Sequence, residues 1–134
     1  MGLNTDDYNP KAIRNKISGA KNELVYPEEY ARYVATDFEE IVYKVYQKYE
    51  ERLKNNNSVD FDDLLVLPIK LFSIHKDILK LYQERFKYIL VDEYQDTNRV
   101  QYILVNMLAA KYKNICVVGD NDQAIYSWRG SDYR

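Results

Sequence analysis

Glycine is scarce in this chain. Gly2, Gly19, Gly119 and Gly130 are all that 134 residues contain. None opens the G-x-x-x-x-G-K-[ST] pattern, whose backbone amides and lysine cradle phosphates. A self-contained phosphate loop is therefore excluded. Cysteine is scarcer still: Cys116 stands alone, no intrachain disulfide can form, and its place in an apolar run predicts a reduced core residue. His75 is the single histidine and has no cysteine or histidine neighbour with which to bind a metal. No apolar stretch approaches the roughly eighteen residues that a membrane span needs, and the first residues are too polar and acidic for a secretion signal. These absences predict a soluble, cytoplasmic protein with no membrane partner.

Charge of one sign is missing too. The formal net charge is −2 with 30% charged residues, so no bulk basicity announces nucleic acid. A local basic or aromatic groove remains compatible with that balance. The length suits one modest core, or a small domain with part of a second. What the chain has in quantity is tyrosine, 14 of them, which suits half-buried helix faces with hydroxyls at the surface.

Helical signals fill the first two thirds. Asn9-Pro10 predicts a helix start, with Asn9 as cap and Pro10 in the first turn. Ile13 and Ile17 share a face, and Gly19 is placed to end that helix. Lys11, Arg14, Lys16 and Lys21 give a local positive bias that a solvated helix face and a DNA contact explain about equally well. Tyr30, Val34, Phe38, Ile41, Val45 and Tyr49 then recur at three or four residues, a stripe that predicts core packing. Thr36 and Glu39 have the spacing of a capping box. The polar run Lys54–Ser58 is the expected domain boundary, separating residues 1–57 from 58–134. Beyond it, Asp60 is a candidate cap for a helix carrying Phe61, Leu64, Leu65 and Leu67, expected to be interrupted at Pro68. A second helix should hold Ile74, Ile78, Leu81, Tyr82 and Phe86. The Asp60, Asp62, Asp63 group lacks the ligand spacing of a calcium loop and reads as a charged helix start.

From residue 87 the pattern becomes strand, helix, strand. Tyr88-Ile89-Leu90-Val91 runs apolar without alternation, as in a strand buried on both faces, and ends on Asp92-Glu93. Thr97 is a candidate cap for a helix whose buried stripe is Val100, Ile103, Leu104, Met107 and Leu108. Ile115-Cys116-Val117-Val118 is a second apolar run, ending at Gly119-Asp120. Two such strands joined by one helix form a right-handed βαβ unit with parallel strands. Their carboxyl ends share one edge, where open α/β sheets bind ligands. Asp92 and Glu93 should therefore sit beside Gly119, Asp120, Asp122 and Gln123.

A buried strand delivering two carboxylates to a phosphate site is the Walker B arrangement. Phosphoanhydride hydrolysis needs a magnesium ion on the terminal phosphates, an aligned water and neutralised charge. Asp92 is placed to hold magnesium through its water shell, Glu93 to orient or activate the water, and Gln123 to sense the terminal phosphate. In Ala124–Gly130, ordinary core packing and a stacking platform for unpaired bases both account for Tyr126, Trp128 and Arg129.

Asp92-Glu93-Tyr94-Gln95-Asp96-Thr97-Asn98 resembles motif II of the superfamily 1A DNA helicases, the UvrD/Rep/PcrA group. Val118-Gly119-Asp120-Asn121-Asp122-Gln123-Ala124-Ile125-Tyr126-Ser127-Trp128-Arg129-Gly130 is similar to their motif III. Asp60-Phe61-Asp62-Asp63-Leu64-Leu65 is similar to the short aspartate-rich motif upstream of motif II. Residues 1–57 resemble, more loosely, the helical 1B subdomain inserted in the first motor domain. The fold class expected is thus an α/β fragment, predominantly helical: a 1B-like subdomain, then a partial P-loop NTPase parallel sheet of one βαβ unit.

The resemblance implies an ATP-dependent 3′-to-5′ translocase that unwinds DNA, using ATP and Mg2+. Asp92 is then the magnesium aspartate and Glu93 the catalytic glutamate. Gln95 supports the nucleotide site, and Gln123 contacts the γ-phosphate. Tyr126 and Trp128 belong to the surface that stacks single-stranded DNA, and Arg129 couples that surface to the nucleotide or contacts DNA. The family places its phosphate loop before this segment and its second motor domain after it. The expectation is a segment of a larger helicase, inactive by itself, whose partners are DNA, the remaining helicase domains and, through exposed sheet edges, other copies of itself. The alternative is a stand-alone, non-catalytic module that binds DNA or protein.

Overall fold

The computed structural model describes residues 8–120. Among them are six α-helices and two short strands, a predominantly helical α/β chain. It divides into two compact units, residues 1–64 and 65–134.

The first unit is built from α1 (Pro10–Asn22), α2 (Pro27–Tyr30), a 3-10 turn at Ala31–Tyr33 and α3 (Asp37–Asn55). Asn9 caps α1 as expected, its Oδ1 accepting from the Lys11 amide at 2.9 Å. Gly19 does not end that helix, which runs on to Asn22. The reason is the face it carries: Ile13, Ile17, Ala20 and Lys21 are all buried, so the segment past Gly19 gains packing that exceeds a glycine's cost of about 1 kcal/mol in a helix. The capping box forms at α3: the Glu39 amide donates to Thr36 Oγ1 at 3.3 Å and the Thr36 amide to Glu39 Oε2 at 3.1 Å. The stripe proposed for this region is turned by one residue. Val42 and Tyr46 are its buried centre, Phe38, Ile41 and Val45 flank them, and Tyr49 is 37% exposed. Tyr46 packs edge-on against Tyr30 with ring centroids 6.0 Å apart, and its hydroxyl donates to the Val25 carbonyl. Full burial of a side chain such as Val42 contributes roughly 1.5–3 kcal/mol.

The second unit takes most of α4 (Asp63–Ile74), then α5 (Lys76–Arg85), β1 (Ile89–Val91), α6 (Arg99–Ala109) and β2 (Ile115–Val117). Pro68 does not interrupt α4. It deletes one backbone hydrogen bond, but Val66, Ile69 and Phe72 lie buried along one face on both sides of it, and that continuous packing offsets a penalty of about 3 kcal/mol. Leu64, Leu65 and Leu67 lie on α4 as expected, whereas Phe61 precedes it; Phe61, Leu64 and Leu67 are exposed. In α5 the Gln83 side chain is buried and donates to the Met107 carbonyl of α6 at 2.8 Å. The cap of α6 is Asn98, one residue after Thr97, because Asn98 Oδ1 accepts from the Gln101 amide while Gln101 returns the bond.

β1 and β2 pair in parallel, with Ile89 opposite Ile115, Leu90 opposite Cys116 and Val91 opposite Val117. They are not buried on both faces. Ile89 and Val91 are half-buried whereas Leu90 is 70% exposed, the alternation of a strand covered on one side only. Cys116 is exposed rather than a core residue. Two strands among the described residues, with α6 between them in sequence, provide no second layer for that face. No helix among the described residues is long and apolar enough to cross a membrane.

Candidate active site

The carboxyl ends of β1 and β2 are stitched together by backbone hydrogen bonds. The Val118 amide donates to the Val91 carbonyl at 2.8 Å, and the Tyr94 amide donates to the Val118 carbonyl at 2.9 Å. This brings the residues after each strand to one edge, as a parallel pair requires. Asp92 and Glu93 are exposed there, and so is Asp120. Asp92 Oδ1 accepts from the Glu93 amide at 2.9 Å. Glu93 itself adopts φ 51°, ψ 43°, before a 3-10 turn at Tyr94–Asp96.

That backbone is unusual for a glutamate. Four non-glycine residues among those described have positive φ: Leu24, Asn57, Glu93 and Lys113. Leu24 and Asn57 come just after the C-caps of α1 and α3, where a left-handed residue closes the last turn, and Lys113 lies in the turn that follows α6. Glu93 instead comes after a strand. A left-handed residue with a Cβ costs roughly 1–2 kcal/mol, and strain of this kind concentrates at functional sites.

Gln95 is the buried element of the edge, 3% exposed. Its Nε2 donates to Glu93 Oε2 at 2.6 Å, and its Oε1 accepts from the Asp120 amide at 2.9 Å. Gly119 makes room for it: a Cβ at that position would lie 2.7 Å from Gln95 Oε1 and 3.2 Å from both the Gln95 amide nitrogen and Tyr94 Cβ. Nearby, Asp96 Oδ1 is buried without a hydrogen-bond partner. The edge thus gathers Asp92, Glu93, Gln95, Gly119 and Asp120. Asp122, Gln123, Tyr126, Trp128 and Arg129 lie outside the described residues. The pattern of residue types pointed to the acids, but the bond from Gln95 to Asp120 joins positions 25 residues apart and left no local signal.

A second acidic group lies in the helical unit. Carboxylate oxygens of Glu50, Asp60 and Asp63 come within 4.8 Å of one another. Lys21 occupies their centre, its Nζ at 2.7 Å from Glu50 Oε1, 2.8 Å from Asp60 Oδ2 and 2.7 Å from Asp63 Oδ1. Tyr49 donates its hydroxyl to Asp60 at 2.9 Å. Asp60 and Asp63 also exchange bonds, each amide donating to the other's carboxylate. Burial works against the charge on Lys21, but its bonds to Asp60, Asp63 and Glu50 outweigh it and hold the ammonium well above the ordinary lysine range. Burial likewise raises Asp60, yet the bonds from Lys21, the Asp63 amide and Tyr49 leave its carboxyl below the usual value. Lys21, 2% exposed, lies on neither a solvated face nor a surface open to DNA. Its place four residues after Ile17, on the buried stripe, was the available clue.

Known proteins extend this geometry to a family. The chain matches the UvrD/REP helicase N-terminal domain over residues 1–134. It is 49% identical over 130 residues to the ATP-dependent DNA helicase PcrA of Bacillus subtilis (strain 168), covering 97% of this chain and 18% of that protein. The PcrA helicase of Leuconostoc citreum is 49% identical over 132 residues, with 98% and 18% covered. That of Staphylococcus aureus (strain NCTC 8325 / PS 47) is 47% identical over 131 residues, with 97% and 18% covered. The chain thus spans about a fifth of the length of the curated relatives it matches. A parallel strand pair whose first member ends in Asp-Glu, in a chain matched from end to end by one family, places the chain in the UvrD/REP helicase N-terminal domain family.

Proposed function

We propose that this chain supplies the water-activating and magnesium-holding carboxylates, and the single-stranded-DNA platform, of an ATP-dependent 3′-to-5′ DNA helicase. Residues 1–57 act as the helical accessory subdomain of the 1B type, and residues 58–134 as part of the RecA-like first motor domain. The observation that carries this reading is the shared edge of the two parallel strands, where Asp92 and a backbone-strained Glu93 stand beside Gly119-Asp120.

The donor chemistry fits magnesium. Asp92 offers hard carboxylate oxygen on an exposed edge, and its Oδ1 is steadied by the Glu93 amide. Bound there, magnesium would neutralise charge on the terminal phosphates of ATP. The Glu93 carboxylate accepts a hydrogen bond from the attacking water and aligns it on the γ-phosphate. Gln95 buttresses that carboxylate, and Gln123 reads the γ-phosphate. Tyr126 and Trp128 stack unpaired bases, and Arg129 links that surface to the nucleotide or holds DNA. Without a phosphate loop of its own, the 134-residue chain does not turn over ATP.

The test places residues 1–134 in the Bacillus subtilis relative in place of its matching segment. In that full-length chimera, Glu93→Gln should still bind a fluorescent ATP analogue while DNA-stimulated turnover falls at least about a hundredfold. Turnover within twofold of the parent chimera would remove Glu93 from its role. Trp128→Ala in the same chimera should weaken single-stranded DNA binding, and unchanged affinity would return it to ordinary packing.

A further inference from the structure

The geometry points to Gln95 as a positioning residue through which the backbone at the end of β2 sets the orientation of the Glu93 carboxylate. This rests on the catalytic reading of Glu93 above. A glutamate on an exposed edge has three side-chain torsions to settle, and each unproductive setting lowers the fraction of molecules poised to align a water. One amide restricts them here. Gln95 is almost fully buried, which restricts its own torsions, and its single side chain is engaged at both ends: the nitrogen holds Glu93 Oε2 at 2.6 Å and the oxygen holds the Asp120 amide at 2.9 Å.

The amide cannot rotate by half a turn without loss. Exchanging its oxygen and nitrogen would set an N–H against the Asp120 N–H and an oxygen against the Glu93 carboxylate, losing both bonds at once. Orientation of Glu93 and placement of Asp120 are therefore one setting rather than two. Gly119 completes the device by letting the β2 backbone approach Gln95 Oε1 more closely than any side chain at that position permits. A shift of β2's exit that carried the Asp120 amide away would free the Gln95 oxygen and loosen Glu93.

The measurement uses steady-state ATP hydrolysis by the full-length chimera with saturating single-stranded DNA. Gln95→Ala should lower kcat by about ten- to a hundredfold while KM for ATP stays within about twofold. Since Gln95 is buried, Gly119→Ala is the second variant: it keeps the glutamine but displaces its oxygen, and it should give the same loss in kcat with the same unchanged KM. Wild-type kcat in both variants overturns the inference, as does a loss confined to KM. Glu93→Gln separates the two readings. If it turns over normally, the catalytic assignment itself fails; if it is inactive while Gln95→Ala and Gly119→Ala are normal, only the positioning role fails.

Discussion

The ammonium of Lys21 lies 2.7 Å from Asp63 Oδ1, with the lysine side chain only 2% exposed and the aspartate 7%. Removing the cation leaves Asp63 buried and facing Asp60 and Glu50 without compensation. Lys21→Met should therefore destabilise the fold by about 3–5 kcal/mol in urea unfolding. A loss below about 1 kcal/mol would show that the carboxylates relax into solvent.

Lys21→Ala should acquire an affinity for a cation that the parent chain lacks. Glu50, Asp60 and Asp63 already hold oxygens within 4.8 Å of one another, and hard cations take such donors. Calcium at millimolar concentration is expected to raise the unfolding midpoint of Lys21→Ala and leave the parent chain unmoved. Equal response of the two chains would place calcium elsewhere.

Acid should weaken this cluster in a definite direction. The folded-state carboxyl of Asp60 is held below its unfolded value, so its contribution is present above the unfolded pKa of about 3.9 and is lost as pH falls through the lower folded value. Urea midpoints measured between pH 6 and pH 3 should decline most steeply at the acid end. Asp60→Asn should flatten that decline, and an unchanged slope would assign it to other carboxylates.

Gly19 offers the opposite test. It lies inside α1, and a Cβ added there would meet nothing within 4 Å. Gly19→Ala should stabilise the chain by about 0.4–1 kcal/mol, chiefly by restricting the unfolded state. A lower unfolding midpoint would mean that the helix does not extend past Gly19.

Local chemistry explains which expectations the structure matched. Asn9, Thr36 and Glu39 cap their helices through partners two or three residues away, so short patterns sufficed. The parallel pairing of the two apolar runs followed from their spacing around one helix. Facing is harder to read. Val42 and Tyr46 won the centre of α3 over Ile41 and Val45, a rotation that depends on where Tyr30 and α1 pack. Pro68 and Gly19 signal breaks only when nothing beyond them is buried, and here the buried faces continue past both. The bonds of Lys21 to Asp60 and Asp63 span 39 and 42 residues, beyond any motif window. Of the candidate site, Asp92 and Glu93 were legible as acids ending a strand, whereas the left-handed backbone of Glu93 and the bridge by Gln95 are products of the tertiary fold.

The open sheet gives a prediction about association. Leu90 is 70% exposed, Val118 52% and Val117 48%, and a short two-stranded sheet leaves backbone groups for pairing. The purified chain is expected to sediment as dimers or larger species at high concentration, with Leu90→Lys shifting it toward monomer. Monomer alone at every concentration would rule this out.

Gly119 and Gln95 carry a consequence for how such a sequence can change over time. A Cβ at 119 would lie 2.7 Å from the glutamine oxygen, so a change at either position disturbs the other. A side chain at 119 displaces the Gln95 oxygen, and a shortened residue 95 no longer reaches Glu93. The two sites are bound into a single heritable unit, and the only paths out of it pass through a chain whose Glu93 has lost its tether.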